Sequence, residues 1–182
     1  MTNWGIKGLF CGLMTVSMMA FAVENTYSAA DKPGLQEIQD VADGKASAKD
    51  VAGKFSIEDI MHAFKPRAKG GIGVGSKAGE IVPDAIELKV NALAKKSLAA
   101  PVLTKESAAI IKMANHTKAI GEITLNQLPK KNVGEWKKFT EEMISASKDL
   151  ATAAKDSPEG VNKAAKKIAA SCNDCHAKFR DN

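Results

Sequence analysis

The last helix-forming stretch of the chain constrains its fold most. Val161, Ala164, Ile168, Cys172, Cys175 and Phe179 recur at spacings of three and four, which sets them along one face of a single helix. Pro158 and Gly160 mark where that helix begins. The same face carries two thiols, and His176 follows the second directly, so the apolar stripe and the most reactive side chains share one element. A stripe of this kind has to be buried against other helices, and the earlier sequence supplies them.

Residues 55–66 read as a short amphipathic helix. Ser56 caps it, Glu58 and Asp59 suit its first turn, and Pro66 ends it. Ile57, Ile60, Met61 and Phe64 share its apolar face, with His62 on the flank. A second helix over 84–98 carries Ile86, Val90, Leu93 and Ser97. Pro101 interrupts, and Thr104 then caps a third segment in which Ile110, Met113, Thr117 and Ile120 align, with His116 beside the stripe and Gly121 ending or loosening it. Asn132 or Gly134 begins the longest run, reaching about Lys155, with Trp136, Phe139, Met143, Ser147, Leu150 and Ala154 on its apolar side. No strand pattern or repeat breaks this series. The expected fold is all-α: a four-helix bundle with an additional helix or an extended Gly-rich insertion.

Two stretches stand apart. Residues 31–54 have weak periodicity in Leu35, Ile38 and Val41 and read as an extended leader or linker, or a loosely attached helix, ahead of a helical domain over 55–182. Residues 67–83 hold five glycines and read as a linker. Their Gly70-to-Lys77 segment comes close to a phosphate-binding loop, but Ser76 and Lys77 stand in the wrong order and no strand precedes it. Glycine there would allow close backbone approach to a flat ligand edge.

The N-terminus reads as an export signal over 1–30: Lys7, an uncharged run over 9–21, and small residues permitting cleavage after Ala22 or Ala30. The run is short for a membrane span, and an uncleaved anchor is the lesser reading. Cleavage after Ala30 would remove Cys11 and leave Cys172 and Cys175 as the only thiols. The expected location is the periplasm or an equivalent extracytoplasmic compartment. The formal net charge of +5 is dispersed, with local groups at Lys65, Arg67 and Lys69 and at Lys130, Lys131, Lys137 and Lys138. Dispersed charge of this size argues against nucleic acid and fits solubility and the steering of an acidic protein partner.

Cys172-Asn173-Asp174-Cys175-His176 is a C-x-x-C-H sequence. Both sulfurs can form thioethers with the vinyl groups of one porphyrin while the imidazole of His176 offers a nitrogen to the iron. This is the pattern of c-type heme attachment, with histidine as a standard axial ligand, and it implies one covalently attached heme c. A redox dithiol usually opens a helix, whose terminus lowers a thiol pKa; these cysteines follow at least two turns of helix. A structural zinc site takes four ligands, and only His62 or His116 could complete one through tertiary contact. An inert disulfide or buried thiols would leave His176 without a role. Large aromatics are scarce, at six Phe, two Trp and one Tyr, so a porphyrin filling the interior predicts a poorly packed apoprotein.

The ending Cys172-Asn173-Asp174-Cys175-His176-Ala177-Lys178-Phe179-Arg180 resembles that of the class II c-type cytochromes, the cytochrome c-prime and cytochrome c-556 family, which close on C-x-x-C-H-x-x-[F/Y]-[R/K]. The likeness follows the order of helices over 55–182, strongly at the end and weakly before it. The Gly-rich link and the helix over 84–98 depart from the compact four-helix pattern. The resemblance implies thioethers at Cys172 and Cys175, His176 as proximal ligand, Phe179 packing on the heme and Arg180 as a basic residue near it. Met61 resembles the position facing the distal side, which supplies a sixth ligand in c-556-like members, whereas c-prime members leave iron five-coordinate. The Ile57-Glu58-Asp59-Ile60-Met61 segment, the Trp136-to-Phe139 spacing and the terminal motif look, more loosely, like small exported cytochromes of planctomycete-type bacteria.

The leading expectation is a non-enzymatic electron carrier cycling Fe(III)/Fe(II) and docking transiently on a redox protein. Its rivals are a heme protein binding nitric oxide or carbon monoxide at an open sixth site, and a heme subunit of a larger redox complex. Exposed apolar surface on the first and third helices would favour that larger complex, or a homodimer or heterodimer. Peroxidase-like chemistry would need a distal histidine paired with arginine; His62 and His116 read instead as exposed residues or as residues that support a ligand from behind.

Overall fold

The computed structural model describes residues 34–180, together with Met1. The signal expected over 1–30, with its two cleavage points and Cys11, lies outside the described residues, as do Asp181 and Asn182. Among the described residues there is no strand. The chain is all-α: α1 (Leu35–Ala42), α2 (Ala48–Ala52), α3 (Ile57–His62), α4 (Ile86–Lys95), α5 (Ala100–Leu125), α6 (Val133–Ala153) and α7 (Pro158–Phe179), with a 3-10 turn at Arg67–Lys69.

α5 is the hub. Its 26 residues bury apolar or small side chains around much of the circumference, including Leu103, Ile110, Met113, Ile120 and Ile123, as expected for a helix covered on several sides. α1, α2 and α3 pack on it, and so does α6. Pro101 does not interrupt this region. It lies in the first turn of α5, where a missing N–H costs nothing, and the Thr104 hydroxyl donates back to the Ala100 carbonyl (3.1 Å) instead of capping the helix. Gly121 neither ends nor loosens α5. A Cβ there would lie 2.7 Å from Ile144 Cγ1 and 3.1 Å from the Met143 methyl, so glycine sets how closely α5 and α6 approach.

α6 and α7 form an antiparallel pair, because the link over 154–157 is too short for any other arrangement. Ser157 caps α7 by accepting from the Gly160 N–H (3.1 Å), and Pro158 occupies the first helical position. Glu135–Lys178 and Asp149–Lys167 ion pairs, 2.9 and 3.0 Å, bridge the two helices. α4 packs on α7, where the Asn162 amide donates to the Leu93 and Ala94 carbonyls at 2.6 and 3.0 Å. α7 is therefore flanked by α6 and α4.

The stretch read as leader or linker is part of the core. Leu35 and Ile38 of α1 are fully buried and Val51 of α2 nearly so. Three apolar residues at helical spacing were enough, because α5 offers an apolar wall to receive them. α3 has the expected capping box between Ser56 and Asp59 but ends at His62, before Pro66.

The glycine-rich segment is also more than a linker. Asp84 Oδ1 accepts from the Val74 N–H (2.7 Å), Asp84 Oδ2 from Arg67 Nε (2.9 Å), and Arg67 Nη2 donates to the Gly75 carbonyl (2.9 Å). Ile72 and Val74 are buried beneath this knot. A Cβ on Gly71 would run into the Lys65 carbonyl, and Gly73 holds a left-handed φ of 75°. In α4, Ile86, Val90 and Leu93 of the expected stripe are buried, whereas Ser97 lies exposed beyond the helix end.

The core itself is aliphatic. Leucine, isoleucine, valine and alanine fill it around α5, with methionines between them. The scarce aromatics have little part in it: of the nine, only Trp136 is buried among the described residues, and Phe55 and Phe64 pack against the edge of the core.

Candidate functional site

The stripe on α7 is unevenly covered. Val161, Ala164 and Ile168 are buried, Ile168 to 1 % exposure, but Cys172, Cys175 and Phe179 on the same face are only half-buried and His176 is exposed. Over the last two turns of the helix the cover on its apolar face thins.

Trp136 forms one wall of this end. Its indole N–H donates to the Thr124 carbonyl (3.1 Å) at the end of α5, and its ring meets Phe179 edge-on at 5.0 Å between centroids. One side chain thus ties together the end of α5, the start of α6 and the end of α7. The register set by the Trp136–Phe179 contact and the two interhelical ion pairs places half-buried Phe139 at the level of Cys175 and His176. Neither aromatic stands out as a site residue from sequence. The signal was present in their three-residue spacing at the start of a helix that must run antiparallel to the motif helix.

The thiols are in no disulfide. Burial, then the neighbouring Cys175 and Glu87, push Cys172 up to about 11; burial also raises Cys175. Both thiols are therefore neutral at pH 7. They sit toward the C-terminal end of α7, where the helix dipole gives a thiolate no help, the opposite of a redox dithiol at a helix start. The zinc reading fares no better: among the described residues no three His, Cys, Asp or Glu side chains converge as a metal site.

The imidazole of His176 makes no hydrogen bond among the described residues, so either ring nitrogen is available as a ligand. Arg180 is the exposed C-cap of α7, its N–H donating to the His176 carbonyl (3.1 Å). Two neutral thiols three residues apart, an adjacent available imidazole and flanking aromatics fit a covalently attached heme by the chemistry of the donor set.

Met61 belongs to α3, whose main neighbour is α5. It is half-buried and packs against the shared core. The segment after α3 approaches the motif: the Glu87 N–H donates to the Phe64 carbonyl (3.2 Å), and Glu87 is the α4 residue whose charge acts on Cys172. His62 Nε2 donates to the Lys69 carbonyl (2.7 Å), which leaves only Nδ1 for any other role. His116 is not exposed. Its accessibility in α5 is 4 %, and burial, with Lys112 second, holds its pKa down to about 4.

No protein-family model, curated protein or solved structure matches the chain. Among the described residues no helix is long and apolar enough to cross a membrane.

Proposed function

We propose that this chain is an exported monoheme c-type cytochrome that carries single electrons between redox proteins. One observation carries the reading: Cys172, Cys175 and His176 share the end of α7, in line with its buried stripe, where the cover on that stripe thins. In this reading Cys172 and Cys175 bind the two vinyl-derived carbons of the porphyrin and His176 holds the iron. Phe179 and Trp136 pack against the attached group and exclude water from it, and Arg180 places a positive charge at its margin. The heme would supply a one-electron Fe(III)/Fe(II) couple, its potential set by ligation and local dielectric.

The likeness to class II cytochromes extends the proposal to a four-helix bundle made by α4, α5, α6 and α7, the four longest helices, with the knotted loop before α4 as the insertion. Met61 then sits outside those four helices, on α3, and its candidacy as sixth ligand rests on the resemblance alone.

The test is the holoprotein expressed with its own N-terminus in a host competent for c-type heme attachment. Heme should remain on the chain in a denaturing gel and be lost in a Cys172→Ala/Cys175→Ala variant. Heme that dissociates on denaturation sinks the proposal. Absorption and electron-spin spectra then separate the functions. Low-spin iron with a methionine-sulfur band that disappears in Met61→Ala supports electron carriage with Met61 as ligand. Five-coordinate ferrous iron that binds carbon monoxide rapidly replaces it with the gas-binding reading.

A further inference from the structure

The Trp136–Phe179 contact and the Glu135–Lys178 ion pair hold the first turn of α6 against the last turn of α7. The turn between α5 and α6 therefore lies at the same end of the molecule as the thiol–imidazole motif. That turn and the start of α6 present Leu128, 53 % exposed, and the exposed lysines Lys130, Lys131, Lys137 and Lys138. None of these lysines is in an ion pair among the described residues. The only acid within 126–140, Glu135, is paired with Lys178. Glu141 and Glu142 follow on α6, farther from that end.

We infer that this surface docks an acidic electron-transfer protein, with Leu128 as its apolar centre and the four lysines as its rim. The inference rests on the heme reading above and names the partner of that site. Lysines that form one local group in the sequence come, in the fold, to the same end of the molecule as the motif, where Asp174, Lys178 and Arg180 are the charges of α7 itself. Lysines outside any ion pair, with Lys138 over the Phe139 ring at 5.8 Å, speed encounter and orient the complex. The chemistry fits a protein better than nucleic acid: the exposed centre is a leucine, while Trp136 is buried and Phe139 half-buried, so no aromatic platform is offered to bases. One exposed leucine is also far less apolar area than a bilayer-binding face presents.

The test follows reduction of the ferric holoprotein by reduced flavodoxin, a small acidic one-electron donor, at several salt concentrations; the flavodoxin loses one electron and the heme gains it. The second-order rate should fall as salt rises. At low salt it should fall about tenfold or more in Lys130→Glu/Lys131→Glu/Lys137→Glu/Lys138→Glu. Leu128→Ala should lower the rate while leaving its salt dependence in place. Reversal at Lys163 and Lys166, roughly 20 Å back along α7 from Phe179 by helix rise, should change it little. Reduction by neutral photoreduced lumiflavin should be the same in every variant, showing an intact heme site. The inference is overturned by wild-type rates that ignore salt, by a rim variant as fast as wild type, by equal loss in the Lys163/Lys166 variant, or by tighter rim-dependent binding to DNA or phosphatidylserine vesicles than to flavodoxin. A preparation with no covalently held heme overturns the function proposed above and this inference with it, whereas a normal heme spectrum with an unaffected rim variant overturns this inference alone.

Discussion

At the scale of single residues, the reactive groups were legible and the buried ones were not. Cys172, Cys175 and His176 announce themselves because two thiols and an imidazole at that spacing have few uses. His116 gives no such signal. Its neighbours in sequence are polar or charged, and it falls beside the apolar stripe, but α5 is covered on so many sides that a flanking position is also interior. Burial lowers the pKa of His116 most, Lys112 and Arg67 lower it further, and Asp43 alone opposes them. The consequence is a pH-dependent stability. An unfolded histidine takes up a proton near 6.5, whereas this one stays neutral until about 4. Between those values the unfolded state binds more protons, so stability falls as pH falls through the window, by up to about 3 kcal/mol. Urea unfolding of the protein from pH 7 to pH 4 should show that loss. In His116→Leu the part of the slope between 6.5 and 4 should be flattened, and an unchanged slope would assign it to other groups.

At the scale of elements, α6 and α7 were readable to within a few residues because each has a single apolar stripe with clear end signals. α5 was read as starting at Thr104 because Pro101 looked like a break, although proline in a first turn is favoured. The loop before α4 was the hardest. Its folding depends on Asp84 and Arg67, 17 residues apart, and no local pattern announces a carboxylate that collects a guanidinium and a backbone N–H at once. Asp84→Ala should leave the Val74 N–H and Arg67 Nε without their acceptor, and the part-buried guanidinium without its counter-charge, and cost about 2–4 kcal/mol. Lys167→Ala, which removes a half-exposed pair with Asp149, should leave stability nearly unchanged. Thermal unfolding of the two variants side by side checks the contrast. Gly121→Val tests the α5–α6 contact: the side chain would meet Ile144 and Met143, and overpacking of this kind costs about 1–3 kcal/mol.

At the scale of the whole molecule, the all-α class followed from helical periodicity throughout and the absence of any strand pattern, but the location of the core did not. Scarcity of aromatics suggested an interior built around a porphyrin. In the fold the aliphatic residues of α3, α4, α5, α6 and α7 bury one another in a core that α1 and α2 help to close. The motif occupies the end of α7, past Ile168, where cover thins. A heme attached there would complete one end of the structure and leave the centre as it is. The chain without heme should therefore stay folded. In Cys172→Ala/Cys175→Ala, near-ultraviolet circular dichroism should keep a fixed tertiary signal and urea unfolding should remain cooperative. Amide exchange should quicken chiefly in the last two turns of α7 and in the first turn of α6, which Trp136 and Glu135 tie to it. Loss of the tertiary signal throughout, with helicity retained and apolar dye bound, would mean that the attached group organises the whole interior, and would return the protein to a bundle packed around its heme.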